Sequence, residues 1–207
     1  MAIELSSIWF TNEQDIVPES GVQQIINTGS ADTLDGNDRL TGTGANFGFV
    51  NYGTLKTGSG RDIIIGTCTD NGYIGINNAS GATINTGEGN DIIISNGVLY
   101  NDGNINTGNG NDSIIASRGL NGNGSVSLGD GDDYIKSFGG RSLSGGSGND
   151  ILELPPGRYE VSSWGGAGLT LKQRYTYMAV GGFEQLIAGS TTYNPANLYW
   201  GQIIVVA

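Results

Sequence analysis

Residues 85–95 read NTGEGNDIIIS, and the stretch that starts 21 residues later, 106–116, reads NTGNGNDSIIA. Their shared core is Gly-x-Gly-x-Asp, followed two residues on by a large aliphatic. The same core starts at Gly58, Gly87, Gly108, Gly129 and Gly146, with second glycines Gly60, Gly89, Gly110, Gly131 and Gly148. The aspartates are Asp62, Asp91, Asp112, Asp133 and Asp150, and the aliphatics are Ile64, Ile93, Ile114, Ile135 and Leu152. Three residues before each copy stands another aliphatic: Leu55, Ile84, Ile105, Val126 or Leu143. Successive copies start 29, 21, 21 and 17 residues apart. Self-similarity at a period of about 20 residues marks a solenoid, whose units bury their apolar side chains against neighbouring units.

Short runs of β-branched residues flanking a glycine turn predict strands, and glycine at this density excludes helix interiors. Softer turn signals lie between copies at Asn71-Gly72, Asn96-Gly97, Asp102-Gly103, Asn121-Gly122 and Gly139-Gly140. Each period therefore contains two or three strands and forms one coil of a parallel β-helix or β-roll. With coils about 4.8 Å apart, the turns stack into a column, and glycine permits the positive φ that such tight turns need. Turn carbonyls and one carboxylate per coil then offer an oxygen-only donor set. That is the chemistry calcium selects, with six to eight oxygens at about 2.3–2.6 Å.

The copies resemble the hemolysin-type, or repeats-in-toxin (RTX), calcium-binding nonapeptide Gly-Gly-x-Gly-x-Asp-x-aliphatic-x. Residues 145–153 (GGSGNDILE) match it in full. In residues 57–65, 86–94 and 107–115 a Thr replaces the first glycine, and in 128–136 a Leu does. The resemblance implies a right-handed parallel β-roll, calcium held by the aspartates and turn carbonyls, and secretion. With one good nonapeptide per coil, it places calcium on one edge of the solenoid and an Asn/Gly-rich turn column on the other. Residues 28–42 (TGSADTLDGNDRLTG) hold a degenerate pair, Asp32-x-Leu34 and Asp38-x-Leu40, and Asp38 is a candidate for a terminal calcium site.

The expected architecture is all-β: an N-terminal cap over residues 1–27, a β-solenoid over 28–154 and a β-rich C-terminal cap over 155–207. Most of the aromatics fall in that last segment, among them Tyr159, Trp164, Tyr175, Tyr177, Tyr199 and Trp200. Beside Arg158, Lys172 and Arg174 they also suit a sugar-stacking surface.

The formal charge of −11 rests on 20 acidic against nine basic residues. That balance opposes nucleic-acid binding and anionic membrane surfaces. No apolar run reaches the 18 or so residues needed to span a bilayer. Cys68 is alone, so no intramolecular disulfide forms, and in an extracellular setting calcium would have to replace it as a staple. The first residues lack the basic and long apolar regions of a Sec signal. The aliphatic tail QIIVVA (202–207) resembles the C-terminal signals of type I secretion substrates, which predicts an extracellular protein.

The chain has no His, which removes the commonest general base and zinc ligand. Neither a nucleophile elbow nor a phosphate-cradling Gly-Lys-Ser/Thr loop is present. Carboxylates outside the repeats (Glu13, Asp15, Glu19, Asp70, Glu153, Glu160 and Glu184) read as solvated acids rather than a glycosidase pair. The outward turn positions Ser59, Glu88, Asn109, Asp130 and Ser147 form no uniform Thr rank of the ice-binding kind. The sequence thus reads as a secreted calcium-binding protein with a structural or binding role. The alternative is a calcium-dependent carbohydrate-binding or carbohydrate-modifying module acting on an extracellular polysaccharide or a cell-surface partner.

Overall fold

The computed structural model describes residues 2–18, 21–70, 73–140, 142–162 and 169–207; the Asn71-Gly72 turn, Glu19 and Trp164 lie outside them. Among these residues the chain is all-β, apart from two single 3-10 turns at Leu5–Ser7 and Pro195–Asn197. Its strands form three largely parallel sheets of six, nine and ten strands, called here the first, second and third.

One coil crosses all three sheets in turn. Ile74–Asn78 runs in the first sheet, Thr83–Glu88 in the third and Ile92–Asn96 in the second; the next coil repeats the order with Val98–Asn101, Asn104–Asn109 and Ser113–Ala116. The solenoid is therefore three-sided, with three columns of corners rather than the two edges of a β-roll. The difference follows from coil length: about 21 residues supply three short strands and their turns, more than a pair of nonapeptides would.

Side chains in a strand alternate between faces, and each sheet sends one face inward. Ile84 pairs with Ile105 and Ile93 with Ile114, so like residues stack coil on coil. The second sheet stacks Leu40, Ile64, Ile93, Ile114, Ile135, Leu152 and Leu186. The third stacks Ala31, Leu55, Ile84, Ile105, Val126, Leu143 and Val180. All of these are buried, and with Ile25, Phe49, Ile76 and Leu99 of the first sheet they form one continuous core. Each fully buried aliphatic contributes about 1.5–3 kcal/mol, and each coil up to the one that starts at Leu120–Asn121 adds residues from all three sheets.

Both ends continue these sheets. Ala2–Glu4 and Ile16–Val17 pair in parallel with Gln24–Asn27 and Arg39–Gly44, and Leu5 plugs the first coil. At the other end Thr176–Gly181 pairs in parallel with Ser142–Ser147 and then turns back through Leu169–Gln173 and Gly157–Ser162 as an antiparallel meander. Ile203–Val206 closes the meander as its edge strand, with Ile204 and Val206 buried. The aliphatic tail thus packs as a structural strand.

Candidate functional site

The Asp of each turn motif lies two residues before an inward aliphatic, so strand alternation sends it inward as well. Asp38, Asp62, Asp91, Asp112, Asp133 and Asp150 are all at most 2% exposed. They stand one above another at the corner between the third and second sheets. The main-chain N–H of each donates to Oδ1 of the next: Asp38 to Asp62, Asp62 to Asp91, and Asp91 to Asp112, each at 2.8 Å. Asp112 donates to Asp133 at 2.7 Å and Asp133 to Asp150 at 2.9 Å. The series begins with the N–H of Asp15 on Asp38 and ends with the N–H of Asp150 on Oε2 of Glu184, both at 2.8 Å.

Each carboxylate therefore spends Oδ1 on a neighbour's backbone. Every Oδ2, from Asp38 to Asp150, is buried without a hydrogen-bond partner. Leaving an ionised oxygen so placed is costly. Burial is the leading cause that pushes these acids upward, with repulsion along the row adding to it. Asp62 and Asp133 rise to about 6 and Asp112 to about 7. Asp38, Asp91 and Asp150 are raised as well.

The glycines give the turn its shape. Gly58 and Gly60 take φ of +90° and +135°, and a Cβ on Gly60 would lie 1.6 Å from the carbonyl oxygen of Gly36. That separation admits no side chain. The turns also pair directly: Glu88 N–H donates to the Gly58 carbonyl, Gly89 N–H to that of Asn109 and Gly110 N–H to that of Asp130. The first two carbonyls of the turn are thereby engaged in the ladder between coils. Among the described residues, no three His, Cys, Asp or Glu side chains converge into a group able to hold a metal ion.

The five aspartates expected from the repeats stand together, and Asp38 joins them as a sixth rung. Its turn, TLDGNDRL (33–40), is a full copy with Leu34 in place of the first glycine. Leu34 accordingly adopts φ of +68°, a conformation rare for a leucine. Sequence reasoning missed the phase of this copy because it looked for glycine at that place. It also missed Glu184 as the last rung, although Leu186 stands two residues after it, at the spacing of the earlier turns.

A second ladder occupies the corner between the first and third sheets. Buried Asn27, Asn51, Asn78 and Asn101 link in series, each Nδ2 donating to the next Oδ1 at 2.8 Å. Asn51 and Asn78 also donate to the carbonyls of Thr83 and Asn104. Asn27, Asn51 and Asn78 thereby place both amide protons on acceptors, and at the start of the row Asn27 Oδ1 is buried without a donor.

The other acids are held locally. Glu153 accepts from Lys136 at 2.7 Å and from the Tyr134 hydroxyl at 2.6 Å, and Glu160 faces Lys172 at 3.7 Å. The C-terminal meander carries an open cleft of about 630 Å³ lined by Arg158, Glu160, Lys172, Gln173 and Arg174. Tyr175 beside it is 98% exposed. No helix of the described residues is long and apolar enough to cross a membrane.

Comparison with known protein families, with curated proteins and with solved structures returns no match. The chain is a parallel β-solenoid with an asparagine ladder and a buried aspartate ladder, a description that rests on its own geometry.

Proposed function

We propose that this protein is a calcium-binding solenoid of the RTX kind, secreted, with a structural or binding role. One observation carries the reading: a row of buried carboxylates whose second oxygens have no donor. A divalent cation would neutralise such a row and supply the missing partner, and an oxygen-only environment suits calcium better than zinc or copper. The sequence resemblance supports the same ion, and the pairing of turn carbonyls between coils restricts how many oxygens each turn can offer it. A type I export route fits the family resemblance and the low free calcium of a cytosol. Inside the cell the uncompensated acids would disfavour the fold, and outside the cation would favour it.

Binding to the folded state alone adds RT ln(1+[Ca]/Kd), about 2.7 kcal/mol per site at one hundred times Kd. Thermal unfolding followed by circular dichroism, in chelator and in millimolar calcium, tests the proposal. The expected result is a midpoint several degrees higher in calcium. Superimposable curves would overturn it.

A second reading, carbohydrate binding, is favoured by the cleft in the C-terminal meander. It gathers Arg158, Lys172 and Arg174, three of the chain's nine basic residues. Among the described residues neither arginine has a carboxylate within ion-pair distance, and Tyr175 lies exposed beside them. Such a surface suits an acidic glycan. Retention on an immobilised uronate polymer, lost in an Arg158→Ala/Arg174→Ala variant, is the expected result; equal retention of both proteins would dismiss it.

A further inference from the structure

The turns of the acid ladder differ at one inward place, the first residue of the turn, five positions before the Asp. It is Thr33, Thr57, Thr86 and Thr107 in four coils, Leu128 in the fifth and Gly145 in the last. All are inward, because they stand two residues after an inward aliphatic, and the four threonines are fully buried.

In the threonine coils the hydroxyl lies against the carboxylate of its own turn: Thr33 on Asp38, Thr57 on Asp62, Thr86 on Asp91 and Thr107 on Asp112. It also reaches the carbonyl of the corresponding residue one coil on, as Thr57 does to Thr86 at 3.1 Å and Thr107 to Leu128 at 2.7 Å. A hydroxyl has one proton for these two acceptors. The distances and angles to the carbonyls are those of hydrogen bonds, so the proton goes there and Oδ2 faces the hydroxyl oxygen. Whichever way the proton turns, the threonine side chain fills the space beside Oδ2.

The last coil is built differently. A Cβ on Gly145 would meet Oδ2 of Asp150 at 2.6 Å and the carbonyl oxygen of Gly182 at 1.9 Å. Two oxygens thus converge where the other coils have a side chain, and the Gly182 carbonyl, which also accepts from the Gly146 N–H at 3.2 Å, keeps a second lone pair. Asp150 is fully buried and its Oδ2 is without a partner. Glu184 gives Oε2 to the Asp150 N–H and keeps its other oxygen. Asp133, one coil back, is also buried with Oδ2 unpartnered, but the buried Leu128 fills the inward place of its turn as the threonines do in theirs. Gly182 and Glu184 are exposed, which leaves the place open to solvent.

We infer that the C-terminal end of the acid ladder is a divalent-cation site formed by Asp150, the Gly182 carbonyl and Glu184. Thr33, Thr57, Thr86 and Thr107 close the equivalent place in the other coils to metal. The inference rests on the calcium reading and narrows it: where the family resemblance implies a column of ions, the side chains here leave room at one end. Mixed carbonyl and carboxylate oxygens match calcium's preference.

Calcium titration calorimetry on the whole metal-stripped protein, with terbium luminescence as a second readout, tests this. Wild type should take one ion with highest affinity. Asp150→Asn keeps the shape and the acceptor for the Asp133 N–H but should weaken that ion at least tenfold. Gly145→Thr should remove it, and Thr107→Gly should add a second. Circular dichroism checks that each variant is folded; should Gly145→Thr fail to fold, the isosteric Asp150→Asn decides. Four or more equivalent ions in wild type, or an unchanged first ion in Asp150→Asn, would overturn the location and leave the calcium reading standing. No calcium bound by the wild type would remove both.

Discussion

The main-chain N–H of Asp91 donates to Oδ1 of Asp112, one coil further along the chain, at 2.8 Å. The acceptor is needed whatever the charge of the group that bears it, and this separates two substitutions. Asp112→Ala leaves a buried N–H unpaired and opens a cavity, a loss of about 2–4 kcal/mol. Asp112→Asn keeps the acceptor and removes a buried charge, so in chelator it should raise the thermal midpoint. Chemical denaturation of both variants in chelator checks the opposite signs; two destabilised variants would mean that the charge itself contributes to stability.

Acidity should stabilise the calcium-free protein. Asp62 is pushed up to about 6 by burial, then by Asp91 and Asp38, with the hydrogen bond from the Asp38 N–H opposing. Asp112 reaches about 7 for the same leading cause, with Asp91 and Asp133 facing it and the Asp91 N–H opposing. A carboxyl raised in the folded state binds protons that the unfolded chain does not. Its stabilisation is complete below the unfolded value near 3.8 and is lost as pH climbs through 6 to 7. In chelator the unfolding midpoint should fall by more than about 5 °C between pH 5 and pH 8. A flat profile, or a rise, would show that the acids are charged and satisfied in the fold.

Asn51 sits in the middle of the asparagine ladder, giving one amide proton to Asn78 and the other to the Thr83 carbonyl, and accepting from Asn27 and from Gly53 N–H. Asn51→Ala breaks all four contacts and should cost about 3–5 kcal/mol. Asn51→Asp, nearly identical in shape, loses both donors and brings a buried charge, so it should be at least as damaging. Urea denaturation at neutral pH measures both; an aspartate variant as stable as wild type would mean that the ladder is replaceable by water.

Gly60 and Gly81 both take positive φ, at +135° and +79°, but only Gly60 is crowded. Nothing lies within 4 Å of a Cβ on Gly81, so Gly81→Ala carries only the conformational penalty of about 1–2 kcal/mol. At Gly60 the Cβ would fall 1.6 Å from the Gly36 carbonyl oxygen, and backbone must move. Gly60→Ala should lose more than about 4 kcal/mol and with it most soluble protein. Expression yield and thermal midpoints of the pair check the contrast; similar losses would mean that the coils separate easily at this corner.

Much of this was legible in the sequence because the physics is local. Aliphatics at fixed offsets from Gly-x-Gly-x-Asp identified the stacks containing Ile64 and Ile84, and both are buried as read. The first sheet was not, since strands such as Phe47–Asn51 and Ile74–Asn78 lack the Gly-x-Gly-x-Asp turn, share only apolar-Gly-apolar-x-Asn, and meet only after the chain has closed a coil. Leu34 hid a copy of the turn because its positive φ is imposed by neighbours and not by its own chemistry. The threonines read as departures from a glycine consensus; that they lie against buried carboxylates emerges only from the alternation of the preceding strand. The tail 202–207 reads equally as an export signal or an edge strand because it is a short aliphatic run, and in the fold it forms the edge strand Ile203–Val206.

The acid ladder counts coils rather than residues. Consecutive rungs are separated by 24, 29, 21, 21 and 17 residues, yet the same amide-to-carboxylate bond closes each step at 2.7–2.9 Å. Length gained or lost at the other corners is absorbed there and does not propagate into the next turn. A gene encoding such a chain can drift by insertion and deletion along most of each coil while the alignment of the whole stack is reset once per revolution.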